Sequence, residues 1–224
     1  MRVVMVPGFT QTSGAWAGVI AHLPLRTDVT ALEVPVVDSF AATVDALANT
    51  GGRGCWVGYS MGGRLALAVA LAHPELVDRL VLVSSGIGIA TSAERAARRD
   101  EDEALAASAE RDGAAAFLDA WLGREMFAGL PPDARAARID NGAEIAHQLR
   151  VLGAGVMPAL HERLRELTVP VLVITGTNDA KFDAIGDTIA AAAPHAQRER
   201  VAGSHGLLHE NPAALAALIA DFAR

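Results

Sequence analysis

The sequence predicts an α/β protein: a mainly parallel sheet with helices on both faces. Three observations carry this expectation. Short β-branched runs alternate along the chain with helical stretches, which is the pattern of βαβ units. Several of those runs are continuously apolar, as strands buried on both faces are. The pentapeptide Gly58-Tyr59-Ser60-Met61-Gly62 stands between one such run and a helix, where the chain must turn sharply.

The elements follow in order. Val3–Val6, ended by Pro7-Gly8, reads as a buried strand and a turn, and Val29–Val34 as a weaker strand. Ser39 opens an amphipathic helix through about Ala48, and Asn49–Gly54 is a loop. Gly54–Tyr59 is a third strand, followed by a helix over Gly62–Ala72 that stops near Pro74. Arg79–Ser85 and Val169–Thr175 are the next strands, the latter reached through Pro170. Asp183–Ala193 is helical, Arg198–Val201 is a last strand, and Pro212–Ala223 closes the chain as a helix. From about Thr91 to Leu167 there is no strand signal, only helical patterns rich in Ala, Arg, Asp and Glu. The expected organisation is one domain over 1–224, with a helical cap insertion at about 91–167 lying over one end of the sheet. The charge run Arg95–Glu103 inside it reads as a solvated helix face.

Composition sets the class. With 224 residues, 51% apolar and 20% charged, the chain can bury a full core. A net charge of −7 argues against general nucleic-acid binding. Lys181 is the only lysine. The lone Cys55 excludes an internal disulfide and a multi-cysteine metal site, and its apolar neighbours make it a buried structural thiol. No run reaches the ~18 apolar residues of a membrane span, and the opening Met1–Val6 is too short for a signal peptide. A cytoplasmic enzyme with a small-molecule substrate and no membrane insertion is the expectation. No motif implies a metal or an organic cofactor.

Gly58–Gly62 matches G-x-S-x-G in the context that motif requires; an ordinary strand–helix turn is the competing reading. A serine there takes up a strained backbone and projects its hydroxyl above the sheet at a helix N-terminus, whose dipole favours developing negative charge. An oxyanion hole needs two preorganised N–H groups. Met61 offers one, and the loop Pro7-Gly8-Phe9-Thr10 offers the other, most simply from Phe9. The chain order Ser, acid, His then selects the partners. His205 follows the last strand in Ala202-Gly203-Ser204-His205-Gly206, with His209 nearby as the alternative base. Asp179 follows the fifth strand in Thr175-Gly176-Thr177-Asn178-Asp179, where its carboxylate would orient the imidazole. Asp183 and Asp187 belong to the next helix.

These residues resemble the α/β-hydrolase superfamily along nearly the whole chain, which implies the α/β-hydrolase fold. More narrowly, the sequence resembles the 2-succinyl-6-hydroxy-2,4-cyclohexadiene-1-carboxylate synthases of menaquinone biosynthesis. The family pattern G-Y-S-x-G-G-R stands at Gly58–Arg64, and D-x-K-F at Asp179-Ala180-Lys181-Phe182, so the lone lysine falls within a motif. The family's pattern near the histidine, ending in H-x-E-N-P or a close variant, appears as His205 followed by His209-Glu210-Asn211-Pro212. Leu152-Gly153-Ala154-Gly155 with Met157-Pro158-Ala159-Leu160 is similar to the family's segment before the fifth strand. The resemblance implies a lyase that eliminates pyruvate from 2-succinyl-5-enolpyruvyl-6-hydroxy-3-cyclohexene-1-carboxylate, using the triad as a base. It further implies substrate contacts from Tyr59, Arg64, Arg98, Trp121 and Arg138, with Phe127 as a second cap aromatic. A substrate rich in carboxylates suits arginine, whose fork makes bidentate bonds. Arg98 and Arg138 have solvated helix positions as the alternative. Two departures stand out: Pro7 replaces the family's first-loop histidine, and only Val34–Ser39 remains of its D-x-P-G-H-G-x-S loop.

Two further functional readings compete with the lyase. A carboxylesterase or carbon–carbon bond hydrolase would use the same Ser60, Asp179 and His205. A catalytically silent receptor on the same fold would have no need to keep all three.

Overall fold

The protein is described here as a computed structural model covering residues 2–224, apart from the side chains of Pro132 and Asp133. Six strands form one sheet in the order β2-β1-β3-β4-β5-β6: β1 Arg2–Val6, β2 Asp28–Ala31, β3 Gly54–Tyr59, β4 Val77–Val83, β5 Val171–Gly176 and β6 Ala196–Val201. Every neighbouring pair is parallel. Parallel strands need crossovers that cover both faces, and β3 and β5 are buried at every residue, which is why they read as unbroken apolar runs.

Among the described residues the α-helices are α1 Ala17–Ile20, α2 Phe40–Gly51, α3 Met61–Ala72, α4 Ser92–Leu122, α5 Gly142–Leu152, α6 Ala180–Ala192, α7 Leu207–Glu210 and α8 Pro212–Phe222. Side chains alternate across the sheet. Val4, Val6, Trp56, Leu80 and Leu82 pack with α2 and α3 on one face. Val3, Met5, Val57, Val81 and Val83 pack with Trp16, Val19, Leu215 and Ile219 on the other. Cys55 belongs to this second layer, and burial pushes its thiol up to about 12.

Element boundaries depart from the sequence reading in places. β2 ends at Ala31 rather than Val34, although the Leu32 N–H still donates to the Met5 carbonyl at 2.9 Å. The 3₁₀ turn Ser13–Trp16 and α1 carry too few residues to show a period, yet they bury Trp16 and Val19. α6 begins at Ala180, directly after Asp179, and its Asp183 and Asp187 take ion pairs from Arg198 and Arg200 of the edge strand β6.

Between β4 and β5 stand α4 and α5. Thr91 caps the start of α4: its hydroxyl oxygen accepts from the Glu94 N–H at 3.2 Å and its hydroxyl donates to the Glu94 carboxylate at 2.6 Å. The helix breaks at Gly113, whose φ of 81° and ψ of 164° are not helical. α4 and α5 share an apolar layer of Ala106, Ala109, Phe117, Leu118, Ile145 and Leu149, onto which Phe9 and Trp121 pack. Arg150 of α5 makes paired bonds to Glu103 and Glu110 of α4. His147 of α5 lies 2.8 Å from the Val37 carbonyl and so ties the helix to the short loop after β2.

Chain order places β2 on one side of β1 and β3 on the other. In an open parallel sheet such a reversal leaves a crevice at the carboxyl ends of the two strands. The loop after β1 and the turn after β3 flank it here.

Candidate active site

Ser60 lies between β3 and α3 with φ 51° and ψ −109°, a strained conformation for a residue with a side chain. The surrounding packing enforces it. A Cβ on Gly58 would stand 2.3 Å from the Gly62 carbonyl oxygen, and one on Gly62 would stand 2.2 Å from that of Val6. The Ser60 N–H donates to the Val83 carbonyl at 2.9 Å, which anchors the turn to β4.

The structure brings Ser60, His205 and Asp179 together. His205 Nε2 lies 3.0 Å from Ser60 Oγ, and His205 Nδ1 lies 2.8 Å from Asp179 Oδ2. An ionised carboxylate only accepts, so Nδ1 carries the proton and Nε2 is left to accept from the serine hydroxyl. The His205 side chain is 2% exposed and that of Asp179 5%. The Tyr59 hydroxyl donates to the His205 carbonyl at 2.8 Å, and the His205 N–H donates to the Met126 carbonyl at 3.3 Å. The Phe182 ring lies tilted against the imidazole with 4.4 Å between ring centres, and Phe127 lies at 5.6 Å. Glu210 accepts from the Ser204 N–H at 2.6 Å and from its hydroxyl, which fixes the loop carrying His205. His209 instead faces Gln11, with 3.4 Å between its Nε2 and Gln11 Nε2.

The loop after β1 is pinned on both sides of Phe9. The Gly8 N–H donates to Gln11 Oε1 at 2.8 Å, and the Thr10 N–H donates to Gln148 Oε1 at 3.4 Å. Thr10 is fully buried with φ 64°. Among the described residues, the N–H groups of Phe9 and Met61 have no partner. They are the two amides that the sequence assigns to an oxyanion hole.

A cavity of about 700 Å³ opens over Ser60. Phe9, Tyr59, Trp121, Phe182 and His205 form its walls, together with the cations Arg64, Arg98, Arg124, Arg138 and Lys181. Glu101 is the one acidic side chain among its described lining residues. Arg64, one helical turn after Ser60, is half-buried. Its Nη1 donates to the Leu152 carbonyl at 2.9 Å and approaches Met157 Sδ at 3.8 Å, with no carboxylate bonded to it among the described residues. Burial, reinforced by the nearby Arg98 charge, lowers its pKa from 12.5 to about 10. Arg98 pairs with Asp102 at 2.8 Å. Arg138 donates to the carbonyls of Ala134 and Phe9 and, at 2.9 Å, to Thr10 Oγ1; burial lowers its pKa as well. Arg124 lies 4.1 Å over the Trp121 ring.

Several sequence expectations need correction. The run Arg95–Glu103 is not simply a solvated face: Asp102 is 2% exposed, and Arg98 lines the cavity. The Asp102 Oδ2 atom has no partner among the described residues, and burial raises that carboxyl above the usual range. Tyr59 contributes its ring to the cavity, while its hydroxyl is engaged by the His205 carbonyl. Arg124 and Gln148 were not foreseen; the one available signal for Arg124 was its place three residues after Trp121.

A buried Ser-His-Asp arrangement at the crevice of a parallel α/β sheet marks a serine-hydrolase-like enzyme. The chain belongs to the alpha/beta hydrolase family, whose sequence profile matches residues 3–218. A Bacillus subtilis protein provisionally named 2-succinyl-6-hydroxy-2,4-cyclohexadiene-1-carboxylate synthase is 36% identical over 74% of this chain. That match spans 64% of the relative's own length, a little under two thirds. A synthase of the same name from Enterobacter sp. is 29% identical over 99% of this chain and 91% of its own. The solved structure of MenH from S. aureus superposes with a TM-score of 0.92 at 26% identity, covering 99% of this chain and 92% of that one.

Proposed function

We propose that this protein is a 2-succinyl-6-hydroxy-2,4-cyclohexadiene-1-carboxylate synthase, a carbon–oxygen lyase that releases pyruvate from the enolpyruvyl precursor. The observation that carries this reading is the cavity over Ser60, with five cationic side chains and Glu101 as the acid among its described lining residues. The precursor bears three carboxylates, on the ring, the succinyl arm and the enolpyruvyl ether. An esterase for neutral substrates gains nothing from guanidinium groups held in a partly dehydrated site.

The names of substrate and product fix the bond changes. A proton leaves C2, the ring double bond at C3 becomes a 2,4-diene, and the C5–O bond breaks to release pyruvate as its enolate, which is then protonated. C2 lies beside the succinyl ketone, so the departing proton leaves negative charge on that ketone oxygen. The unpartnered N–H groups of Phe9 and Met61 suit this developing enolate. Ser60 Oγ takes the C2 proton as it passes its own to His205 Nε2, and Asp179 stabilises the resulting imidazolium. Arg64, Arg98 and Arg138 hold carboxylates, and Trp121 packs on the ring. No step calls for a metal or a cofactor.

The test is pyruvate release from the precursor, coupled to lactate dehydrogenase, beside hydrolysis of a p-nitrophenyl ester. Wild type is expected to prefer the precursor strongly, and Ser60→Ala to lose about 10⁴-fold in turnover while remaining folded. Ester hydrolysis without pyruvate release would reverse the assignment in favour of the esterase reading.

A further inference from the structure

Gln148 is 3% exposed, stands on α5 and lines the cavity over Ser60. Its side-chain carbonyl is committed, because Oε1 accepts from the Thr10 N–H, which can only donate. That bond fixes the orientation of the amide and turns Nε2 away from Thr10. Among the described residues Nε2 has no hydrogen-bond partner. The residue is nearly buried, yet Nε2 is not among the sealed-off unpaired atoms; it keeps access to the cavity, where a polar group is normally paired with water or ligand. Arg138 converges on the same Thr10 through its hydroxyl, and the Arg138 Nη2 group is also without a partner among the described residues.

We infer that Gln148 is a substrate-recognition residue: its Nε2 and the Arg138 Nη2 group together receive one carboxylate of the ligand. Gln148 supplies a neutral donor where a further cation would meet Arg138. The same side chain holds Thr10, and so the neighbouring Phe9 amide, in place. Carboxylate capture and the oxyanion loop thus meet at one residue. This inference deepens the lyase reading and rests on it for the identity of the substrate, although a carboxylate subsite can be measured without turnover.

The two roles of Gln148 separate by substitution. Gln148→Glu keeps an acceptor for the Thr10 N–H but replaces the free donor with an oxygen that repels a carboxylate. Gln148→Leu removes both. Binding of benzene-1,3,5-tricarboxylate, a cyclic polycarboxylate probe, is read by calorimetry. The rate at which a neutral alkyl fluorophosphonate labels Ser60 reads the oxyanion loop, and circular dichroism reads the fold. Gln148→Glu is expected to weaken probe binding at least tenfold more than it slows labelling, and Gln148→Leu to impair both by similar factors. Probe binding by a folded Gln148→Glu within twofold of wild type would overturn the inference and leave Gln148 as a loop support. Wild type that binds the probe tightly, shows this pattern and yet releases no pyruvate would sink the lyase reading while upholding the carboxylate subsite.

Discussion

Replacing Arg64 with methionine is expected to make the protein more stable and far less active. The guanidinium is half-buried, its hydrogen-bonding partners are a backbone carbonyl and a thioether, and no carboxylate among the described residues is bonded to it. A pKa lowered from 12.5 to about 10 corresponds to about 3 kcal/mol by which the folded site disfavours the charged form. Methionine removes that cost and leaves the Leu152 carbonyl without its donor, which gives back about 1–2 kcal/mol. The net gain is then about 1–2 kcal/mol, or roughly 2–8 °C in Tm for a chain of this size. The sign of the pH dependence follows from the depressed pKa. The cost is fully present below pH 10 and is relieved as wild-type Arg64 deprotonates above it, so the gain of Arg64→Met shrinks above pH 10. Against a polycarboxylate substrate, losing the buried cation should cost about 2–4 kcal/mol in kcat/KM, roughly 30- to 1,000-fold. Arg64→Lys keeps the charge but loses the fork; it should show a comparable kinetic loss without the gain in Tm. Calorimetric melts between pH 7 and 11, with steady-state pyruvate release, test both halves. A methionine variant that melts lower than wild type, and slows the labelling of Ser60 by a neutral fluorophosphonate as much as it slows turnover, would refute this account. Arg64 would then be a prop for the nucleophile turn.

Two further outcomes follow from the geometry. His205→Ala should match Ser60→Ala in pyruvate release, whereas His209→Ala, which touches the oxyanion loop through Gln11, should lose about tenfold or less; reversed effects would exchange their roles. Gly62→Ala drives a methyl group to 2.2 Å from the Val6 carbonyl and 2.4 Å from that of Pro7. Both are backbone atoms that cannot swing aside, so urea melts should show a loss of about 3 kcal/mol or more.

The parts of the site that the sequence made legible sit at strand ends. Ser60 and Asp179 each follow an apolar run and His205 follows the charged edge strand β6, and the order of those strands sets which loops meet. Arg64 was legible because a helix returns to the same face after one turn. Gln148, Arg124 and Asp102 were not, for a common reason. They lie between β4 and β5, where α4 and α5 bury each other with alanines, and a small-residue layer leaves little hydrophobic period to say which face looks inward. Asp102 looked like one more charge in a charged run, and its burial depends on Gly153 passing close beside it. The same limit hid the start of the chain's second layer, where Trp16 and Val19 are buried by a turn and a helix too short to show periodicity.

The cation-lined cavity has a consequence for turnover that reaches beyond recognition. The chain as a whole carries −7, so an approaching polyanion is repelled by most of the surface and drawn to one opening. The proposed elimination would then divide the charge it was drawn by. A single trianion would become a monoanion and a dianion, each holding fewer of the arginines than the parent did. Breaking the C–O bond would therefore also loosen the electrostatic grip, and the reaction itself would help to empty the site for the next capture.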